Sequence, residues 1–439
     1  MAEPSKALRH VKHTVGGVVP VALILPFVLL LSFFGVTGVA VADDGHDVYR
    51  SDAAQAFANV KRHSFFSEAL GQQRQIDVAL PVNYFETAAT HKYPVVIVMD
   101  GELMFPMVSG LVHQMSANSQ MPDAIVVGIN NVVGARRDIT PKPFDRDGKP
   151  YWFGGQEDAY LSFLTDEALA LVAENYRAAD FRVLIGLSPT AQFTLHAFWK
   201  APEAFDGYVA INATDFTAVG YDGETVFDKI VGTARMAPER PAYLYVSMPQ
   251  GGVERNPKIR EAYERITQGL TPFASKGIAV KTEVIDREAY AATLPAVMSA
   301  LEMIFPARDF DPAYNSFFSD VPGETLQNVR AYFDALSQRY GFAVLPKGER
   351  FYNRNRLKRI GYYFLQEGRN EEAIEAFAYW LQFYPHSPNA HDSMADALEK
   401  AGRAGEAKAY REKAVALARQ YHDGRLALFE QKLAGPAGD

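Results

Sequence analysis

A Gly-x-Ser turn at residues 186–188 limits the possible folds of this chain more than any other segment. A continuous apolar run from Phe181 to Leu187 leads into it, and the residues from Thr190 to Trp199 have the spacing of an amphipathic helix. A serine between a buried strand and a helix lies on a sharp turn that holds its hydroxyl above the sheet, at the helix N-terminus. The stretch therefore predicts a strand, a sharp turn and a helix, with Ser188 as a candidate nucleophile.

Two residues of this turn differ from those usual at a serine nucleophile. Thr190 stands where a second glycine is usual, and Pro189 follows the serine directly. Because proline has no N–H, Pro189 cannot donate the hydrogen bond that normally forms half of an oxyanion hole. The turn therefore has the shape expected for a serine nucleophile and lacks one donor.

Other apolar runs alternate with helical patterns along the chain. The runs are continuous, as expected for parallel strands covered on both faces, whereas 72–80 alternates and predicts a half-buried antiparallel strand. The continuous runs are 94–99, 123–129, 208–211, 242–248 and 278–285, and the helical patterns are 158–176, 259–270 and 293–304. This alternation predicts a doubly wound α/β sheet, whose active site lies at the carboxyl ends of the strands.

Composition excludes several function classes. The net charge is −8 and no basic block is present, which argues against a nucleic-acid partner, since phosphates require clustered Lys and Arg. The absence of Cys excludes disulfides, thiolate zinc sites and a cysteine nucleophile. The acidic residues at 43–47 are interpreted as solvated. We therefore expect no metal and no cofactor.

The N-terminus predicts export. Basic residues at 6–12 precede an apolar stretch over 15–41, and Ala40-Val41-Ala42 resembles a cleavage site. We expect a signal peptide over 1–42 that is cleaved, and a periplasmic or other extracytoplasmic protein. The alternative is an uncleaved inner-membrane anchor, because the apolar stretch is long enough to span a bilayer.

Past Phe305 the pattern changes to a helical repeat. Gly368 and Gly402 are 34 positions apart, as are Ala373 and Ala407, and each pair lies within two helical patterns separated by a short turn. A 34-residue helix-turn-helix period resembles the tetratricopeptide repeat, whose concave surfaces commonly bind peptides. We expect an α/β domain at 43–308, a bridging segment at 309–352 and a small all-α domain of tetratricopeptide-like repeats at 353–439.

A family resemblance is carried by six short segments in their order and spacing. They are 96–101 with Phe105, 127–130, 137–141, the turn at Ser188, 202–210 and 301–305. Together, over Tyr93 to about Pro306, they resemble the bacterial esterase family of α/β-hydrolases that includes ferri-siderophore esterases and S-formylglutathione hydrolases. Members of that family with a tetratricopeptide tail resemble the whole arrangement.

The resemblance implies hydrolysis of an ester by a serine, a histidine and backbone oxyanion donors. Ser188 matches the nucleophile, and the loop at Gly101 and Glu102 matches the second oxyanion donor. At the position of the family histidine this chain has Tyr290, or Ala289 if the register differs by one residue. Glu254 lies in the loop where the family acid or a substrate-binding glutamate would be found, and a solvated carboxylate is the alternative for it.

Two further groups of residues have either a functional or a structural interpretation. Arg136 and Arg137 begin a loop long enough to cover the site and could bind an anionic substrate, or Arg137 could form a structural salt bridge with Asp138. His196, on the helix after Ser188, is interpreted as a packed or surface side chain.

Two functions follow from these residues. The first is an exported, degenerate hydrolase that binds a small ester or anionic ligand in its cleft, or a protein or peptide partner through its repeats. The second is an active carboxylic-ester hydrolase that uses Ser188 with a non-standard base. The loss of both the proline donor and the histidine favours the first.

Overall fold

The structure is a computed structural model that describes residues 59–131, 139, 154–213, 226–235, 242–255, 257–270, 277–347 and 355–435. Its centre is an eight-stranded sheet of order β1-β2-β4-β3-β5-β6-β7-β8. The strands are β1 (Val60–Ser67), β2 (Gln72–Ala79), β3 (Tyr93–Met99), β4 (Ile125–Ile129), β5 (Ala178–Leu187), β6 (Gly207–Ile211), β7 (Ala242–Pro249) and β8 (Ile278–Ile285).

The sheet is mostly parallel, as the sequence predicts. Strand β2 pairs antiparallel with β1 and β4, and every other pairing in the sheet is parallel. Strands β3, β4 and β6 are buried along their whole length, which explains their continuous apolar runs. Strand β1 was not predicted, because it is an edge strand whose residues are mostly exposed and show no apolar period.

Helices pack on both faces of the sheet. They are α1 (Gly101–Ala117), α2 (Glu157–Ser162), α3 (Leu169–Asn175), α4 (Pro189–Lys200), α5 (Val226–Arg235), α6 (Gln250–Arg255), α7 (Pro257–Leu270) and α8 (Thr293–Ile304). A π-helical segment, Phe163–Ala168, joins α2 to α3. The predicted helices at 158–176, 190–199, 259–270 and 293–304 are therefore present, the first of them with an internal π-helical segment.

The chain continues into a helical region. It contains α9 (Ala307–Phe310), a 3₁₀ turn (Tyr314–Phe317), α10 (Glu324–Tyr340), α11 (Arg356–Gln366), α12 (Asn370–Phe383), α13 (Pro388–Lys400), α14 (Ala404–Gln420) and α15 (Leu426–Ala434). Helices α12 and α14 begin at residues 370 and 404, a difference of 34. Gly368 and Gly402 precede them with φ of 72° and 77°, a left-handed conformation that favours glycine.

The helical region and the sheet share one core. Phe181 on β5 packs against Phe305, Tyr340 and Phe342, with ring centroids 5.4–5.7 Å apart. The Tyr340 hydroxyl donates to the carbonyl of Ile304 at 2.9 Å. The described residues accordingly group into one compact unit. The domain boundaries predicted at residues 308 and 352 stay predictions.

The predicted leader at 1–42 lies outside the described residues. Among the helices that the structure describes, none combines the length and the apolar character needed to cross a bilayer.

Candidate active site

Ser188 occupies a sharp turn between β5 and α4. Its backbone has φ 60° and ψ −113°, a conformation that non-glycine residues rarely adopt, and its N–H donates to the carbonyl of Ile211 at 2.9 Å. A Cβ at Gly186 would collide with the Thr190 carbonyl and the Thr194 hydroxyl, so the turn requires glycine there. The half-buried Ser188 therefore lies at the carboxyl edge of the sheet, as the sequence predicts.

Thr190 connects the turn to the neighbouring strand β3. Its buried hydroxyl accepts a hydrogen bond from the Leu187 N–H at 2.8 Å and donates to Asp100 Oδ2 at 2.7 Å. The other Asp100 oxygen accepts from Asn131 Nδ2 at 2.6 Å. A threonine in place of the second glycine thus has a structural role, because it ties the serine turn to the buried carboxylate that ends β3.

The expected oxyanion donors lie at the start of α1. The N–H groups of Leu103 and Met104 donate to the Asp100 carbonyl, whereas those of Gly101 and Glu102 make no hydrogen bond within the described part of the chain. A Cβ at Gly101 would clash with Asn130 Oδ1 and the backbone of Gly128, so this close approach requires glycine. The first turn of α1 can therefore supply backbone donors to an anion.

Pro189 is the first residue of α4 and is half-buried. Its fixed φ suits the first helical position, where an N–H would have no partner inside the helix. The same residue removes the N–H that would face an oxyanion next to Ser188. Glu102, the other predicted binding residue of the loop, is exposed and accepts from the Asn131 N–H at 3.1 Å.

Tyr290 and Glu254 do not form a catalytic group with Ser188 in the described residues. Tyr290 lies on the 3₁₀ turn Ala289–Ala292 between β8 and α8 and is 60% exposed. Its backbone carbonyl accepts from the Thr293 N–H, whereas its hydroxyl makes no hydrogen bond with a described residue. Glu254, exposed on α6, accepts from Gln250 Nε2 at 2.8 Å. The Ser188 hydroxyl likewise has no hydrogen-bond partner in the part that the structure describes, so no base is seen to act on it.

Glu288 is an acidic residue that the sequence reasoning did not single out. A Cβ on Gly251 would clash with its carboxylate, which places that carboxylate against the backbone just after β7. The position after β8, in Asp286-Arg287-Glu288, was the available sequence signal. Glu288 therefore lies beside the turn that carries Tyr290 and is an additional acid candidate.

His196 is held by another carboxylate. Its Nε2 lies 3.0 Å from Asp158 Oδ1, and Lys200 Nζ lies 3.2 Å from the other oxygen of Asp158. Burial lowers the pKa of His196, although Asp158 opposes that shift. The residue is eight positions past Ser188 on one helix, about 12 Å along its axis, so it does not reach the serine hydroxyl. This agrees with its interpretation as a packed side chain.

A buried polar network adjoins the turn. The guanidinium of Arg74 is 1% exposed, donates to the Asn130 carbonyl at 2.8 Å and to the Tyr160 hydroxyl at 3.2 Å, and leaves Nε and Nη1 without partners among the described residues. Tyr160 in turn donates to Asn131 Oδ1 at 3.4 Å. Through Asn131, a buried positive charge on β2 is therefore linked to Asp100.

Two further points concern possible binding groups. Arg136 and Arg137 lie outside the described residues. Within the described residues, no group of three or more His, Asp or Glu side chains could hold a metal ion.

Comparisons with known proteins support the fold. Residues 67–215 match the family model Esterase. An IroE-like serine hydrolase from Shewanella oneidensis is similar, with a TM-score of 0.58 and 20% identity over 73% of this chain and 98% of that one. An uncharacterised protein from Capnocytophaga ochracea has a TM-score of 0.51 and 14% identity over 84% of this chain and 99% of that one. The search of curated proteins found no match.

The two structural likenesses concern the fold alone, because sequence identities of 20% and 14% are too low to indicate an activity. With the mostly parallel sheet and the serine turn, they show an α/β-hydrolase fold, in which residues 67–215 match the Esterase family model. A helical region follows it in the same chain.

Proposed function

We propose that this chain, an α/β-hydrolase fold with an esterase-type segment, is an exported protein that binds a ligand or partner and hydrolyses esters poorly. The proposal rests on one observation: the Ser188 hydroxyl makes no hydrogen bond with a base among the described residues. A serine hydroxyl becomes a nucleophile when an adjacent base removes its proton.

The residue at the family histidine position does not supply that base. Tyr290 is exposed, and its hydroxyl makes no hydrogen bond with Ser188 in the described part of the chain. Pro189 removes one oxyanion donor, a loss that typically lowers kcat by about 10²- to 10³-fold. The N–H groups of Gly101 and Glu102 can still donate to the carbonyl of a small ester or to an anion.

The alternative, an active carboxylic-ester hydrolase with a non-standard base, is supported by the turn itself. Ser188 keeps a backbone conformation that costs on the order of 1–3 kcal/mol, and such strain is concentrated at functional sites. Carboxylates are present near the family histidine position, with Glu288 against Gly251 and Glu254 on α6. One of them would have to act on Ser188 directly or through a water.

The export and partner hypotheses complete the proposal. A cleaved leader at 1–42 would release the chain into the periplasm, with an inner-membrane anchor as the alternative, and sequencing the native N-terminus distinguishes the two. The 34-residue spacing of α12 and α14 supports a tetratricopeptide-like tail that binds a protein or peptide partner.

Fluorophosphonate labelling of the purified protein tests the chemistry, because the reagent reacts with an activated serine hydroxyl. We expect the parent protein to be labelled no more than the Ser188→Ala variant. Stoichiometric labelling that disappears in Ser188→Ala would establish the alternative. In that case Glu288→Gln and Glu254→Gln identify the carboxylate whose loss slows the reaction.

A further inference from the structure

A cavity of about 590 Å³ lies between the 3₁₀ turn Tyr314–Phe317 and helix α11. Its wall includes four aromatic side chains and two arginines: Tyr314, Phe318, Tyr362, Tyr363, Arg356 and Arg359. None of these residues belongs to the serine turn or to the loop at Gly101. The volume is within the range of about 300–1,000 Å³ that small-molecule sites occupy.

Two buried polar groups in the wall have no hydrogen-bond partner among the residues that the structure describes. The Tyr314 hydroxyl is buried, on a side chain that is 7% exposed, and has no hydrogen-bond partner in the described residues. Arg356 Nε is also buried and has no hydrogen-bond partner among the described residues, although Nη2 of the same guanidinium pairs with Asp311. Since an unpaired buried donor is costly, two of them beside one cavity indicate a group that would accept their hydrogen bonds.

The wall also carries a positive charge that no described carboxylate pairs with. Arg356 is paired with Asp311, whereas Arg359 is exposed and makes no ion pair within the described residues. The described residues that line the cavity include no carboxylate. A ligand with one negative charge would therefore complete the charge balance, and a carboxylate matches the planar, multi-donor guanidinium of arginine.

The aromatic groups define the rest of the ligand. Phe318 and Tyr363 pack with ring centroids 4.4 Å apart, and the Arg356 guanidinium lies 4.9 Å from the Tyr314 ring centroid. Aromatic walls favour ligands with a flat aromatic group over flexible polar ligands, because aromatic rings stack or pack edge to face. We propose that this cavity binds a small aromatic carboxylate, with Arg359, Arg356 Nε and the Tyr314 hydroxyl as donors to its carboxylate.

Calorimetric titration of the purified protein with 2-naphthoate tests this proposal, with neutral 2-naphthamide as the matched ligand. We expect the amide to bind about 10-fold more weakly, since it lacks the charge that arginine recognises. The Arg359→Gln variant should lose a similar factor for the acid. Arg308→Gln is the control, because this arginine is 87% exposed and lies elsewhere on the surface.

The Tyr314→Phe variant gives a second, independent readout. Removing a hydroxyl that has no partner should leave the melting temperature unchanged or raise it, while 2-naphthoate binding weakens. A purely structural tyrosine would not produce that combination. Ser188→Ala should leave 2-naphthoate binding unchanged, which separates this cavity from the cleft.

Several results would overturn the proposal. Equal binding of the acid and the amide excludes recognition of the carboxylate, and equal losses in Arg359→Gln and Arg308→Gln indicate general electrostatic attraction. Tighter binding of a tetraglutamate peptide than of 2-naphthoate, lost in Arg359→Gln, assigns the cavity to an acidic peptide. Full displacement of 2-naphthoate by an equal concentration of inorganic phosphate shows that only the charge is bound.

Discussion

The Thr190 hydroxyl donates to Asp100 Oδ2 at 2.7 Å, and this bond connects the serine turn to the end of the adjacent strand β3. The two residues are 90 positions apart in the sequence and both are buried. The same hydroxyl accepts from the Leu187 N–H. One side chain therefore completes the hydrogen bonding of the turn and pairs a buried carboxylate oxygen.

Thr190→Val should destabilise the protein by about 1–3 kcal/mol, because it leaves the Leu187 N–H and an Asp100 oxygen without this partner. The free energy of unfolding in urea measures the change. Thr165→Val is the matched control, since the Thr165 hydroxyl donates to the Leu161 carbonyl on a half-buried helix surface. Equal losses in the two variants would show that the Asp100 bond adds nothing specific.

Hydrolysis of a p-nitrophenyl ester should be slow and nearly unchanged in Ser188→Ala. The double variant Pro189→Gly with Tyr290→His should raise kcat/KM far more than either change alone, because the groups of a catalytic unit act non-additively. Ordinary enzymatic turnover by the parent protein, abolished in Ser188→Ala, would contradict the degenerate-hydrolase proposal. The search for a base would then move to Glu288, Glu254 and the loop at 140–153.

Stability should fall as the pH is lowered from about 6.5 to about 4. Burial lowers the pKa of His91 from 6.5 to about 4, with Asp123 opposing the shift and Arg177 reinforcing it. Because the folded-state pKa is the lower one, the unfolded chain takes up the proton first, and the neutral ring's contribution is present above pH 6.5 and lost below it. A pKa difference of about 2.5, at about 1.4 kcal/mol for each pKa unit, corresponds to at most about 3.5 kcal/mol.

The His91→Gln variant checks this assignment. Its free energy of unfolding should depend less on pH between 7 and 4.5 than that of the parent. His63, His196, His386 and His391 also have pKa values lowered by burial, so a smaller pH dependence remains. An unchanged slope in His91→Gln would assign the acid sensitivity to those residues.

Phe181→Ala should cost about 3–5 kcal/mol, because this side chain is 5% exposed and fills the space between the sheet and the helical region. Phe66→Ala, at a side chain that is 50% exposed on β1, is the control and should change stability by less than about 0.5 kcal/mol. Scanning calorimetry should show one transition for both variants. A separate transition of the helical region in the parent protein would show that the shared core does not couple the two parts.

The elements whose residues follow a local period could be predicted from the sequence alone. The continuous apolar runs predicted β3 to β8, and the alternation at 72–80 predicted the antiparallel β2. The 34-residue spacing of Gly368 and Gly402 predicted a helical repeat, and α12 and α14 begin 34 residues apart. The turn at Ser188 was also predictable, because Gly186 and the helix that follows are encoded within a few residues. Burial period and turn chemistry are local properties, so a linear sequence displays them directly.

The contacts between side chains that are distant in the sequence could not be predicted without the three-dimensional structure. The Thr190 bond to Asp100, the Glu288 carboxylate against Gly251 and the Tyr314 and Arg356 donors beside one cavity each depend on how separate segments pack. The exposure of Tyr290 was equally invisible, since it depends on how the turn after β8 sits on the surface. A hydrogen bond or a clash depends on distances of a few tenths of an ångström, and across many intervening residues those distances are set by the packing of the whole core.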